Sequence, residues 1–170
     1  MPNLGAGVDQ HVNVSALPTW VFSPTTGLPN TVRLYNEGGP LVYVGGANVS
    51  PSNGLPLAAG NEPIRLANIT GSVYACSAVT PGTAAATIGT GVPSNAGTTK
   101  FSVTTMNTSF AAGTVLLVGG GTSQEVLVIA STATTVITTT TNSLYDHAVG
   151  APLTACTYFP AQLRASAGVV

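Results

Sequence analysis

Short runs of strand-forming residues, separated by turn-forming residues, are the feature that most constrains the fold of this chain. Val, Thr, Ile, Tyr and Phe recur in runs of about five to eight residues, and Gly, Pro and Asn interrupt these runs. Nowhere do apolar residues keep a 3.6-residue period through three clean turns. The sequence therefore predicts an all-β protein with almost no helix.

Alternation within these runs indicates which side chains share a face. In Thr31–Asn36, Val32 and Leu34 fall on one face, and the intervening polar and aromatic residues fall on the other. Glu37-Gly38-Gly39 then predicts a hairpin turn, with Leu41–Val44 as the returning strand. Gly119–Gly121 predicts a second hairpin, between the strands Thr114–Val118 and Gln124–Ser131.

The chain divides into two strand-rich halves. Gly89–Gly97 is composed of small residues with one proline, as expected of a linker between domains. The first residues are polar and contain several glycines, as in an extended arm, and we interpret the last ones as a tail. We predict two small β units, each a sandwich or a barrel, in this order: an extended N-terminal arm (1–17), a β domain (18–89), a linker (90–97), a second small β domain (98–160) and a C-terminal tail (161–170).

Scarce charge and short apolar runs argue against two classes of partner, nucleic acids and membranes. Charged residues make up 5% of the chain, against about 25% in an average soluble domain. Four scattered basic residues do not form the basic patch that nucleic-acid binding requires, so we expect no nucleic-acid partner. The apolar runs are far shorter than the roughly 20 residues of a membrane-spanning helix, so we expect no membrane partner. Low charge also protects poorly against association, which favours a homo-oligomer.

The acidic residues and His147 do not form a recognisable catalytic pattern. Asp146-His147 resembles part of a Ser/Asp/His hydrolase site, but no G-x-S-x-G nucleophile motif is present. We therefore interpret this pair as a hydrogen-bonded loop. Glu125 precedes an apolar run and is expected to start a central strand with hydrogen-bonding partners. A shared acid–base site between Glu125 and Glu62 is not expected.

The two cysteines, Cys76 and Cys156, lie 80 residues apart and form no CxxC motif. We predict buried free thiols, with a disulfide as the less favoured alternative. The sequence thus predicts no catalytic residue, no metal site and no cofactor, and a protein that is not an enzyme.

Two stretches resemble modules of tailed-bacteriophage virion proteins. The first comprises Val42–Ser50, Asn53–Leu57 and Val73–Ala75, and its core is the string Val-Tyr-Val-Gly-Gly. The second comprises Gly97–Val103, Phe110–Gly113, Glu125–Val128 and Tyr145–Gly150. The resemblance implies a structural protein of the virion, most similar to capsid decoration (head cement or head fibre) proteins. It implies no catalytic residue.

The expected function is therefore binding to the outer capsid surface, where the protein would stabilise adjacent copies of the major capsid protein, often as a homotrimer. We expect Val12, Val14, Trp20 and Phe22 to contact the capsid or the other trimer subunits, and the fold to survive deletion of residues 2–17. A tail or baseplate component, or a carbohydrate-binding receptor module that stacks sugars on aromatic residues, is the alternative.

Overall fold

A computed structural model describes residues 9–24, 30–90, 96–106 and 110–169 of the chain. The chain divides into two compact units: unit 1 comprises Met1–Ala78 and Phe159–Val170, and unit 2 comprises Val79–Tyr158. Unit 2 is thus inserted between the two segments that build unit 1. The chain enters unit 2 at Val79 and leaves it at Tyr158, and these two residues are register partners in adjacent antiparallel strands.

Unit 1 consists of two four-stranded antiparallel sheets. Sheet A has the strand order β1-β14-β3-β6, and sheet B has the order β2-β7-β4-β5. The strands are β1 (Asp9–Val14), β2 (Thr19–Phe22), β3 (Asn30–Gly38), β4 (Val42–Gly45), β5 (Leu55–Leu57), β6 (Ile64–Ile69), β7 (Val73–Ser77) and β14 (Ala161–Val169).

One hydrophobic core joins the two sheets of unit 1. The alternating buried residues of β3 and β14 in sheet A, such as Leu34 and Leu163, belong to the same cluster as Val21, Val44 and Ala75 of sheet B. Two sheets that bury alternate residues against each other form a β-sandwich. Each sheet therefore has one face in the core and one outer face.

Unit 2 is built on one six-stranded antiparallel sheet, sheet C, with the order β8-β13-β10-β11-β12-β9. A bridge between Ile88 and Val103 brings its two edges together, but among the described residues of unit 2 no continuous ladder closes the sheet into a barrel. Its core contains Phe101, Phe110 and Leu116 among other buried residues. The strands are β8 (Val79–Thr87), β9 (Lys100–Ser102), β10 (Val115–Val118), β11 (Glu125–Ala133), β12 (Val136–Thr139) and β13 (Pro152–Tyr158).

The all-β prediction is confirmed. In the described residues, the helical structure is one turn of 3₁₀-helix at Gly121–Ser123, and this turn lies in the connection between β10 and β11. β10 and β11 pair directly, so the hairpin predicted around Gly119–Gly121 is confirmed as well. Gly119 and Gly121 both adopt positive φ angles, of 74° and 60°, which glycine tolerates better than any other residue.

Within the described residues, the predicted N-terminal arm contains β1 (Asp9–Val14) and the predicted C-terminal tail contains β14 (Ala161–Val169), which corrects the sequence interpretation; residues 1–8 and 170 lie outside the described residues. β1 pairs with β14 from Asp9↔Ser166 to Val14↔Ala161, and β14 continues onto β3. The former tail is therefore an interior strand of sheet A. Polar residues alternate with small apolar ones along both segments, and this pattern suits a strand that has one face in the core and one in solvent.

The predicted domain boundary also differs from the structure. Residues 79–89 belong to unit 2 rather than to the first domain, and Phe159 and Pro160 belong to unit 1. Of the predicted linker, residues 91–95 lie outside the described residues, and the Gly97 backbone N–H donates to the Ser143 carbonyl oxygen 2.8 Å away, within unit 2. The return of the last strand to the first unit is a long-range pairing, so no local composition reveals it.

The hairpin predicted at Glu37–Gly39 is wrong, because β3 and β4 lie in different sheets. Gly39, with a φ of 98°, packs close to Pro160 and Ala161, and the buried Asn36 side chain donates to the carbonyl oxygens of Pro40 and Leu57 at 2.9 and 3.0 Å. These contacts direct the chain from one sheet to the other. Alternation alone identifies the buried face of a strand but not the sheet to which the strand belongs.

Candidate interaction surfaces

Three of the four predicted contact residues lie in the core of unit 1. Val12, Val14 and Phe22 are 8%, 0% and 1% exposed, and all three belong to the cluster between sheets A and B. Their side chains are therefore not available to a capsid subunit or to another copy of the chain. The physical reason is that pairing of β1 with β14 turns the apolar residues of the predicted arm toward sheet B.

Trp20, the fourth predicted contact residue, is half-buried on the outer face of sheet B. Its indole Nε1 donates a hydrogen bond to Ser23 Oγ at 2.9 Å, and Ser23 Oγ lies 2.8 Å from Ser72 Oγ. Its register partner on β7 is Tyr74. The polar edge of the ring is thus held in place while part of the ring remains exposed to solvent.

The outer face of sheet B carries three aromatic residues. Tyr74 lies between Trp20 on one neighbouring strand and Gly45 on the other, and Tyr43 follows on β4, paired with Cys76 and Pro56. Trp20, Tyr43 and Tyr74 are all half-buried. Half-buried aromatic rings on one sheet face offer flat apolar surface with polar edges.

The outer face of sheet A, in contrast, carries mainly charged residues. Asp9, Ser166, Arg33 and Arg65 are successive register partners across β1, β14, β3 and β6. In a neighbouring row, His11 pairs with Arg164, and Arg164 pairs with Tyr35. Glu37 lies on the same face of β3 as Arg33 and Tyr35, because side chains two residues apart point the same way.

This face holds five of the nine charged residues of the chain: Asp9, Arg33, Glu37, Arg65 and Arg164. Three of the four basic residues are among them, so the face has a formal charge of +1 with His11 neutral, whereas the whole chain has −1. The spacing of these residues along the sequence conceals this cluster, because the strands that carry them come from both ends of the chain.

Hydrogen bonds engage both acidic residues of the charged face, Asp9 and Glu37. Arg164 donates a hydrogen bond to Asp9, and the Ser166 hydroxyl donates to the other carboxylate oxygen of Asp9. The hydrogen bond from Ser166, and then that from Arg164, hold the pKa of Asp9 below its ordinary value. His11 Nδ1 lies 2.8 Å from Glu37 Oε2, in a pair that spans β14.

The other half of the charged face is basic, and no acidic side chain among the described residues contacts it. Arg33 and Arg65 lie opposite each other on β3 and β6, and both side chains are exposed. Within the described residues, neither guanidinium has a hydrogen bond or an ion pair. A groove of about 300 Å³ adjoins Arg33 and is lined by Arg33, Tyr35, Pro63, Arg164 and Ser166.

A buried ionic cluster lies in unit 2, at the start of β11. His147 Nε2 donates to Glu125 Oε1 at 2.6 Å, and the Leu144 backbone N–H donates to Oε2 at 2.9 Å. Ser143 Oγ lies 2.6 Å from both Glu125 Oε1 and the Tyr145 carbonyl oxygen, and shares its proton between them. The side chains of His147 and Glu125 are only 1% and 4% exposed.

Hydrogen bonding decides the charge state of Glu125. Burial raises the pKa of this carboxyl, but hydrogen bonds from His147, Ser143 and the Leu144 backbone outweigh burial and leave its pKa below the ordinary value. The carboxylate therefore stays ionised and joins β11 to the loop around His147. The prediction that Glu125 starts a central strand with hydrogen-bonding partners is confirmed.

This cluster does not have the arrangement of a hydrolase triad. In such a triad the serine bonds the histidine, and the histidine bonds the acid. Here Ser143 and His147 both bond the same oxygen of Glu125. Asp146, the acid next to His147 in the sequence, instead accepts a hydrogen bond from the Ala96 backbone at 2.5 Å. The pairing of Glu125 with His147 was missed from sequence, although an acid that opens an apolar strand signals the need for a partner.

Both cysteines are free and buried, as predicted. Burial raises the pKa of the Cys76 thiol to about 12 and also raises that of Cys156. The described residues contain no cluster of three or more His, Cys, Asp or Glu side chains able to hold a metal ion. They also contain no helix long and apolar enough to cross a membrane.

Comparison with known proteins adds no relative to this picture. No protein-family model, no curated protein sequence and no solved structure matches the chain. The two outer faces of unit 1 are therefore the surfaces from which we infer a function, together with the residues that resemble virion modules.

Proposed function

We propose that this chain is a structural protein of a tailed-phage virion that decorates the outer capsid surface and stabilises adjacent copies of the major capsid protein. The observation that carries the proposal is the concentration of charge on the outer face of sheet A. In a chain with 5% charged residues, a face that holds five of nine charges is the surface best suited to selective recognition of another protein.

The residues that resemble the first virion module form one continuous piece of sheet B. β4 carries Val42–Gly45 and lies between β5 and β7, which carry the other two parts of the resemblance. The loop between β4 and β5 is closed by hydrogen bonds from the Asn53 and Gly54 backbone N–H groups to the Ser50 carbonyl oxygen. A Cβ at Gly54 would lie 2.6 Å from Tyr43 Cβ, so only glycine fits there.

The residues that resemble the second module hold unit 2 together. Phe110 is 2% exposed in the core, and Gly113 and Gly150 adopt φ angles of 85° and 86°. Glu125 and His147 form the buried ionic cluster. Each of these residues serves the fold itself, which supports the interpretation of the stretch as a recurrent structural module.

Homotrimeric association on a symmetric lattice is part of the proposal. Many copies that each bind weakly gain avidity when neighbouring copies engage the same lattice. The low net charge of −1 permits such close packing of identical chains, because their mutual repulsion is small.

Immunogold labelling of intact phage particles tests the proposal directly. We expect gold spread evenly over the head. Purified protein added to particles that lack it should restore this labelling, the Arg33→Glu variant should restore much less, and the matched variant Lys100→Glu, whose charge lies in unit 2, should restore it fully. Particles that carry no gold at all, or equal labelling by both variants, would contradict the proposal.

The aromatic outer face of sheet B favours the second candidate, a carbohydrate-binding receptor module of the tail or baseplate. Trp20 and Tyr74 lie side by side there, and the indole is held by Ser23. A glycan array tests this candidate: binding should be lost in Trp20→Ala and kept in Tyr35→Ala, whose ring lies on the opposite sheet. Gold confined to the tail tip would favour this candidate, and a blank array would oppose it.

A further inference from the structure

Arg33 and Arg65 place two like charges directly opposite each other on neighbouring strands. They are register partners on β3 and β6, and their exposed side chains extend from the same face of sheet A. Directly opposed residues on adjacent strands have Cβ atoms about 5 Å apart, and like charges at that spacing destabilise the pair. The fold therefore bears a cost at this position.

Nothing in the described part of the chain offsets this cost. The acidic residues of the face are already engaged, because Asp9 pairs with Arg164 and Glu37 pairs with His11. Both of those contacts include a residue of β1, so no acidic side chain among the described residues contacts Arg33 or Arg65. An external anion is the group that such a pair would hold.

The groove beside Arg33 gives the anion-bearing partner a place to lie. Its walls include the Arg33 and Arg164 side chains, the Tyr35 ring and Ser166. A guanidinium presents several N–H donors in one plane, and carboxylates accept two of them at once. Two arginines with Cβ atoms about 5 Å apart can therefore share one carboxylate or bind two successive ones.

We propose that Arg33 and Arg65 form a binding site for carboxylates of an acidic segment of a partner protein, with the groove along Tyr35 receiving the rest of that segment. The partner is a protein rather than a nucleic acid, because two guanidinium groups suit one or two carboxylates, whereas binding of nucleic acid requires a larger cluster of basic residues than the four in this chain. That the partner is a capsid subunit rests on the proposed function, whereas the carboxylate chemistry of the site does not.

Binding of a hexaglutamate peptide to the full-length protein tests the site. At an ionic strength of about 20 mM, where screening is weak, titration followed by amide NMR should shift resonances of β3 and β6. We expect Arg33→Gln and Arg65→Gln each to weaken binding about threefold, and the double variant about tenfold. Lys100→Gln removes the same charge from unit 2 and should leave the affinity unchanged.

Three results would overturn the inference. The first is no shift on β3 and β6 in the unsubstituted protein. The second is equal weakening by Lys100→Gln, which would mean non-specific attraction. The third is tighter binding of a ten-residue oligothymidylate, which would mean a phosphate site. Because the peptide assay contains no virion, failure here leaves the immunogold result standing, and failure of immunogold labelling leaves the peptide result standing.

Discussion

The buried pair Glu125–His147 predicts a strong and coupled loss of stability when either partner is removed. Glu125 accepts hydrogen bonds from His147 Nε2, the Ser143 hydroxyl and the Leu144 backbone. In Glu125→Ala, Ser143 can still donate to the Tyr145 carbonyl oxygen, which lies 2.6 Å away. The His147 Nε2 and Leu144 N–H donors both lose their Glu125 acceptor.

The size of the loss follows from this count. Each buried donor without a partner costs about 1–3 kcal/mol, and loss of one member of a buried ion pair costs about 3–5 kcal/mol. We expect Glu125→Ala to lower the free energy of unfolding of unit 2 by about 3–5 kcal/mol. His147→Ala should cost a similar amount, because it leaves a buried carboxylate without the hydrogen bond from His147 Nε2. The double variant should cost at least about 1 kcal/mol less than the sum of the two.

Hydrogen exchange followed by mass spectrometry is the suitable assay, because peptides from β10 and β11 report on unit 2 apart from unit 1. Glu125→Gln provides a milder variant if Glu125→Ala fails to fold, and Glu62→Gln is the matched control at an exposed carboxylate. We expect the control to stay within about 0.5 kcal/mol of the unsubstituted protein. Strict additivity of Glu125→Ala and His147→Ala, or a loss below about 1 kcal/mol for each, would refute the reasoning.

The same pair predicts the direction of a pH effect. Hydrogen bonding holds the pKa of Glu125 in the folded chain below the ordinary value of 4.5. The carboxylate therefore contributes stability at pH values above 4.5, and this contribution is lost as the pH falls through the lower folded-state pKa. The difference in stability between the unsubstituted protein and Glu125→Gln should accordingly shrink on acidification. A difference that grows as the pH falls from 5 to 3 would contradict this assignment.

Three further predictions concern a glycine, the paired arginines and a thiol. Gly119→Ala should lower thermal stability more than Gly121→Ala. A non-glycine residue at the positive φ of either site costs about 1–2 kcal/mol. Only at Gly119 would the new Cβ also lie 2.7 Å from the His147 ring. Arg33→Gln should raise the free energy of unfolding by about 0.2–1 kcal/mol, because it removes the repulsion from Arg65. Lys100→Gln should leave the free energy of unfolding unchanged. A lower free energy of unfolding in Arg33→Gln would argue against cross-strand repulsion. Cys76 should resist Ellman's reagent at pH 8 until urea unfolds the chain, because burial raises its pKa to about 12; rapid labelling of the native protein would show that the thiol is accessible.

Truncation experiments need a different interpretation from the one that the sequence suggested. Deletion of residues 2–17 was expected to leave the fold intact, but it removes β1 together with Val12, Val14 and Ala16, which are 8%, 0% and 2% exposed. Full burial of one valine side chain contributes about 1.5–3 kcal/mol. A loss of capsid binding after this deletion would therefore report on unfolding of unit 1 as well as on contact.

The sequence alone determined the class of the fold and much of its local structure. Alternation of Val32 and Leu34 with polar residues is a property of neighbouring residues, and it specifies a strand with one buried face wherever that strand lies. The β10–β11 hairpin was predictable for the same reason, because its glycines and both strands are contiguous. The local need of Glu125 for a partner was also visible in the sequence.

Only the tertiary structure decided which strands share a sheet and which charges share a face. The pairing of β1 with β14 joins the two ends of the chain and turned a predicted arm and tail into one side of a sandwich. This pairing and that of β14 with β3 collected Asp9, Arg33 and Arg164 on one surface, and a comparable long-range approach joined Glu125 to His147. Such contacts depend on burial of a common core and on register between distant strands, and neither of these is encoded in the spacing of residues along the sequence.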